Sequence, residues 1–308
     1  MADGRMSLPM ARGYGETKRP DRWWLYPLCV SLAFAAFIGY STWAAFQNDH
    51  FTFGRDDTSK AESQKFSASY LSPFYSPAVF TAPTKDAQSK SVKVTGQESP
   101  RNRAEEQAQH AWFGNRPDWV PDWLIFFSPA LLILPFPGLF RFTCYYYRGA
   151  YYKAVWQDPP NCAVGEPRSS YWGENSLPLI LQNAHRYALY IAIIFIGLLA
   201  YDAVVGFIFT DATGDKHFGI GVGSFVLVLN VILLGGYTFG CHSFRHLIGG
   251  YKDQLASSAA QKNAYDCVSC LNRWHQAFAW CSLFWVGFSD FYVRMCSMGV
   301  FTDYRIVF

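Results

Sequence analysis

Residues 218–241 read FGIGVGSFVLVLNVILLGGYTFGC, without one charged side chain. A helix needs about 20 mostly apolar residues to cross a bilayer, and in lipid it must satisfy its own backbone polar groups. A soluble helix would carry a polar face instead. Four other segments are long and mostly apolar as well, with few charges or none: residues 23–46, 123–142, 177–209 and 274–300. Pro129, Pro135 and Pro137 predict a kink in the second. The third is long enough to extend beyond the bilayer at one end. Trp and Tyr flank several of these runs, as interfacial belts do. The expected fold is an all-α integral membrane protein. It has five transmembrane helices and a long, partly irregular extracytoplasmic loop.

Composition agrees: 51% of residues are hydrophobic and only 16% charged, against about 25% charged in soluble domains. The first apolar run exceeds a cleaved signal's core of roughly 7–15 residues, so it reads as a retained anchor. Lys and Arg in the short loops set the orientation. The tail holds Arg5, Arg12, Lys18, Arg19 and Arg22; the loop after span two holds Arg148, Lys153 and Arg168; the loop after span four holds Arg245, Lys252 and Lys262. The loop between spans three and four has only Lys216. Residues 1–22 are therefore expected in the cytoplasm, 23–46 in the membrane and 47–120 outside. Residues 121–308 form a four-helix membrane region. The chain is expected in the inner (plasma) membrane with its C-terminus outside. Within the outer loop, residues 55–69 and 84–110 read as loosely ordered, and YLSPFYSPAVF (70–80) reads as packing along the outer surface. A net charge of +3 without a basic-aromatic motif excludes nucleic acid as a partner.

On this topology the Cys and His residues collect at one membrane face. Cys29, Cys144, Cys162, His185, Cys241, His242, His246, Cys267, Cys270 and His275 all map to the cytoplasmic side. Cys is tolerated in apolar helices and His at interfaces, so no one of them signals a site. Their shared side points to a redox or metal centre. His242 and His246 lie one turn apart and share a helix face, whereas Cys241 points about 100° away. Arg245 beside them equally suits a lipid headgroup. The residues leave several centres open. Haem b between helices would use His185 with His242, or His275 with His246. A Rieske-type cluster needs two Cys and two His, although the soluble Cys-x-His and Cys-x-x-His spacings are absent. Zinc would take Cys and His together. The Cys267-x-x-Cys270 pair alone is a weak signal.

The segments FRFTCYYYRGAYYKAVWQDPPNCAVGEPR (140–168), LPLILQNAHRYALY (177–190), GGYTFGCHSFRHLIGG (235–250) and SLFWVGFSDFYVR (282–294) resemble the membrane-anchor subunit of actinobacterial-type succinate dehydrogenase (complex II). The resemblance covers roughly residues 22–46, 70–80 and 111–308. It implies a single five-span anchor docked to the flavoprotein and iron–sulfur subunits on the cytoplasmic face. It also implies a membrane-embedded Rieske-type [2Fe–2S] cluster and electron delivery to quinone, either menaquinone or ubiquinone. Such a subunit has no complete activity alone. Carried over residue by residue, Cys144 and Cys162 would hold one iron and His242 and His246 the other, with Cys241, His185 and His275 as further candidates. Cys267 and Cys270 depart from the family pattern.

Quinone contacts are expected from Tyr171, Trp172, Gln182, Asn183 and Arg186, near the cytoplasmic end of span three. Asp290 and Arg294, one turn apart in span five, read as a self-neutralising pair, and Asp202 is a further intramembrane charge. The alternatives are a haem b anchor of the same reaction and a cofactor-free anchor or transporter. Against a transporter, the five spans do not divide into matched repeats.

Overall fold

The computed structural model describes residues 13–47, 49–54, 66–78, 129–168, 177, 179–211, 213–250, 252, 254 and 258–308. The segment expected to be loosely ordered at 84–110, most of that at 55–69, and the start of span two lie outside them. Helices dominate. Among the described residues, three are long and apolar enough to cross a membrane: α1 (Leu25–Gln47), the stretch Ile180–Val205 containing α5 (His185–Val205), and α6 (Val222–Phe239). The expected kink in span two is present as a break between α2 (Pro129–Ile133) and α3 (Pro135–Phe142), because Pro135 cannot donate to the preceding turn. The last long helix, α9 (His275–Ser297), is about 34 Å long at 1.5 Å per residue. It carries the buried Asp290 and Arg294.

The chain divides into two compact units, residues 1–39 with 139–188, and 40–138 with 189–308. In the first, α4 (Tyr145–Ala154) buries Tyr147, Ala150 and Ala154, which fall on one helical face. Tyr147 packs against Phe34 at 5.9 Å, and Ser31 Oγ donates to the Ala154 carbonyl at 2.7 Å. The N-terminal segment is clipped to the loop after α4. Gly15 N donates to Gly165 O at 3.0 Å and Gly165 N to Glu16 O at 2.9 Å. Arg19 adds bonds to Asn161 Oδ1 and Cys162 O, both at 3.1 Å. Residues 15–19 and this loop thus share one end of the unit.

In the second unit α6 packs along α9, and Trp285 Nε1 donates to Val226 O at 3.0 Å. Beyond these helices lies an antiparallel sheet of β3 (Ile208–Thr210), β4 (Lys216–Gly221) and β5 (Arg305–Val307). Ile208 is opposite Phe218, and Gly219 opposite Val307. The run 218–241, read from sequence as one span, therefore starts as strand and becomes helix only at Val222. A pair of short strands, β1 (Thr52–Phe53) and β2 (Tyr70–Leu71), brings the outer-loop segment in. Its residues 68–76 are buried, not laid along the surface.

Three carboxylates account for that burial. The Tyr70 hydroxyl donates to Asp303 at 3.0 Å, as does that of Tyr292 at 2.8 Å. Ser72 donates to Asp290 and Ser76 to Asp202. Asp290 also accepts from the Tyr40 hydroxyl at 2.6 Å and pairs with Arg294 at 3.3 Å. Arg294 Nη1 donates to the Asp49 carbonyl at 2.6 Å. A buried charge is tolerable only when paired and hydrogen-bonded in this way. Gly219 leaves room for the Phe209 ring, Gly223 for the Tyr70 ring and Gly221 for the Tyr70 hydroxyl, each of which an added Cβ would strike.

Candidate functional site

His185 opens α5. In the first unit its ring stacks on Phe140, with centroids 4.8 Å apart and planes 9° from parallel. Thr143 Oγ1 lies 2.8 Å from its Nδ1. The Thr143 hydroxyl also reaches the Leu139 carbonyl at 2.8 Å, so it is held by the end of α3. A hydrogen bond on one ring nitrogen fixes the orientation of the ring. Cys144 follows Thr143, caps α4 in extended conformation and is 2% exposed. Cys162 is exposed, in the loop clipped by Arg19.

In the second unit the imidazole of His275 is 2% exposed and stacks on Tyr237 at 5.0 Å and 10°. Cys241, 3% exposed, caps α7 (His242–Gly249) just after α6 ends. Asn272 Nδ2 donates to the Gly240 carbonyl at 2.8 Å, fixing the end of α8 (Ala259–Arg273) to that junction.

His242 and His246 are exposed on α7. Their Nε2 atoms are 3.0 Å apart, one ring donating and the other accepting. Two nitrogens bound to one metal at about 2.0–2.1 Å with near-tetrahedral angles stand about 3.3 Å apart, so the pair has the bite of a two-imidazole chelate. Its surroundings do not suit a bare cation. The pair lines an open cleft of about 340 Å³ with Arg245, Lys252 and Tyr265. Burial holds the His242 imidazolium below its ordinary pKa, and the His246 and Arg245 charges lower it further.

Among the quinone-contact candidates, Gln182 is engaged: its Nε2 donates to the Tyr151 hydroxyl at 2.9 Å. Tyr151 stacks on Phe142 at 5.4 Å and meets Trp156 edge-on at 5.2 Å. Asn183 and Arg186 are exposed, and Arg186 sits over the Tyr187 ring at 5.6 Å. Tyr171 and Trp172 lie outside the described residues. Sequence reasoning missed Thr143 and Tyr151. Only their neighbours Cys144 and Tyr152 in a tyrosine-rich run hinted at them.

The sequence-predicted ligands thus fall into two groups. Cys144, His185, Cys241 and His275 are held within the fold, whereas Cys162, His242 and His246 are exposed. Cys144, Cys162 and His185 belong to the first unit, the others to the second. Among the described residues, no three His, Cys, Asp or Glu side chains converge as a metal site. The candidate donors are thiols and imidazoles, the two ligand types a mixed-ligand iron–sulfur cluster takes, and the His185 ring is oriented by Thr143.

Residues 25–299 match the family described as actinobacterial succinate dehydrogenase subunit SdhC. A chain of the solved structure described as the Mycobacterium smegmatis Sdh1 complex in the apo form is 36% identical. The alignment covers 98% of this chain and 96% of that one, with a TM-score of 0.72. No curated protein sequence matches the chain.

Proposed function

The chain belongs to the actinobacterial succinate dehydrogenase SdhC family, and from that premise we propose that it carries electrons through a Rieske-type [2Fe–2S] cluster to quinone. It is the membrane-integral anchor subunit of a succinate dehydrogenase, one part of an enzyme complex. We read its partners as the flavoprotein and iron–sulfur subunits, bound at the cytoplasmic face. The single observation that carries the redox reading is the oriented His185. A half-buried imidazole whose Nδ1 lies 2.8 Å from Thr143 Oγ1, next in sequence to the buried Cys144, has the outer-shell arrangement of a ligand.

Burial decides among the candidate ligands. An electron carrier in the membrane needs a dry, low-dielectric shell, which tunes its potential. We therefore favour the buried Cys144, Cys241 and His275 and the half-buried His185 as ligand candidates over the exposed Cys162, His242 and His246. When bound, the cluster supplies a one-electron carrier whose potential lies above that of an all-thiolate cluster, because imidazoles replace two thiolates. Thr143 keeps the His185 proton on a fixed nitrogen. Tyr237 holds the His275 ring flat against its own. At the quinone, the Tyr151 hydroxyl and the Gln182 amide offer donors to a carbonyl oxygen that takes up charge and then protons. Asn183 and Arg186 lie one and four residues beyond Gln182, with Tyr171 and Trp172 assigned from the sequence alone.

The topology reading has five spans, with residues 1–22 in the cytoplasm and 47–120 outside. Two sets of contacts support it. The tail is bonded to the loop at 156–168 within one unit. Ser67, Thr210 and Asp303, from the outer loop, the third loop and the C-terminal segment, join one end of the other. Iron and acid-labile sulfide in the purified complex, counted against what the iron–sulfur subunit alone holds, test the redox reading. A surplus of two irons and two sulfides is expected. A stoichiometric haem, accounting for one extra iron with no surplus sulfide, would replace it with a haem b anchor.

A further inference from the structure

The cleft beside His242 and His246 is a site that the redox reading does not use. We propose that it binds a phosphate group. Four of its lining side chains, His242, Arg245, His246 and Lys252, can carry positive charge or donate, and among the described lining residues there is no carboxylate. The Arg245 guanidinium carbon lies over the Tyr265 ring, 4.8 Å from its centroid, which restrains the position of its donor fork. Its Nε is buried and has no hydrogen-bond partner among the described residues. A buried donor left unsatisfied is costly, and a charged one more so. A group with several anionic oxygens would satisfy it. A planar guanidinium recognises phosphate through two parallel bonds, and Lys252 adds a point charge. The cleft is also rigid at its base, because Gln261 Nε2 donates to the Ile248 carbonyl at 2.7 Å and joins α8 to the end of α7. A divalent metal on the two imidazoles would have to accept Arg245 and Lys252 as neighbours without compensation.

Two sources offer this chemistry: the headgroup of an anionic phospholipid and free phosphate. Native mass spectrometry of the intact complex in detergent, with phosphatidylglycerol or phosphatidylcholine added, is the first arm. Titration with inorganic phosphate is the second. The inference expects saturable binding in one arm, and Arg245→Gln or Lys252→Gln should weaken it by about tenfold or more, as loss of one charge-assisted hydrogen bond does. Phosphatidylglycerol binding without phosphate binding identifies a lipid headgroup site, and the reverse a free-phosphate site. No binding in either arm, or equal binding by wild type and both variants, would overturn the inference. So would zinc binding that phosphate does not oppose, or loss of an iron–sulfur signal on replacing His242 or His246. Succinate oxidation by an artificial acceptor should be unchanged in both variants, so failure here is distinguishable from failure of the redox reading.

Discussion

Thr143 Oγ1 sits 2.8 Å from His185 Nδ1, and the same hydroxyl is anchored to the Leu139 carbonyl. The last turn of one helix thereby sets the ring of the first residue of another. Thr143→Val keeps the shape and removes the bond. It should lower succinate:quinone activity by about 10–100-fold, the usual cost of losing an outer-shell partner. Thr143→Ser should restore most of it. Comparing quinone with artificial-acceptor turnover isolates the effect, since only the former should fall.

A second prediction concerns Gln182 and Tyr151, whose 2.9 Å bond places two donors at the start of the third span. Tyr151→Phe and Gln182→Leu should each reduce quinone turnover while leaving the iron–sulfur signal intact. Steady-state kinetics with varied quinone, alongside EPR of the same samples, separates this from a loss of the cluster.

Asp290 and Arg294 are both essentially inaccessible. Asp290→Ala leaves the guanidinium buried and unpaired, and should cost about 3–5 kcal/mol of stability. Replacing both, Asp290→Leu with Arg294→Met, should recover much of that loss. Thermal unfolding of the solubilised complex measures both, and electron transfer in the surviving double variant should match wild type.

Gly223 faces the Tyr70 ring so closely that an added Cβ would overlap it. Gly223→Ala should destabilise by about 1–3 kcal/mol, the ordinary cost of overpacking. The same substitution with Tyr70→Leu should be better tolerated, a difference that thermal unfolding resolves.

The clip of the tail depends on Arg19, which pairs with Asp21 while holding Asn161 and Cys162. The hydrogen bond from Arg19 keeps the Asp21 carboxyl below its usual range. With a lowered folded pKa, the contribution is complete above the unfolded value of about 3.9 and lost as pH falls through the lower one. Protection of the tail from limited proteolysis should therefore be flat from neutral pH down to about 5 and fall only in stronger acid. Arg19→Ala should remove the protection at all pH values.

The long helices were legible because apolar length is a local property of the sequence, and the break at Pro135 because proline's missing N–H is local too. The strand at Lys216–Gly221 was not legible. Phe218, Gly219, Ile220 and Gly221 are as apolar as the helix they precede, and only pairing with β3 and β5 distinguishes them. Spacing made His242 and His246 conspicuous, but it could not report that both are exposed. His185 and His275, lone imidazoles in sequence, are the ones held by Thr143 and Tyr237 through contacts distant along the chain. The burial of residues 68–76 was hidden for the same reason, since their carboxylate partners lie at Asp202, Asp290 and Asp303.

EPR of the reduced intact complex, in wild type and in His185→Ala, His275→Ala, His242→Ala and His246→Ala, tests the redox assignment most directly. The wild type should show a Rieske-type signal that disappears in the first two variants and persists in the last two, while succinate oxidation by an artificial acceptor continues in all. A wild-type spectrum without that signal, or its survival in both His185→Ala and His275→Ala, would contradict it.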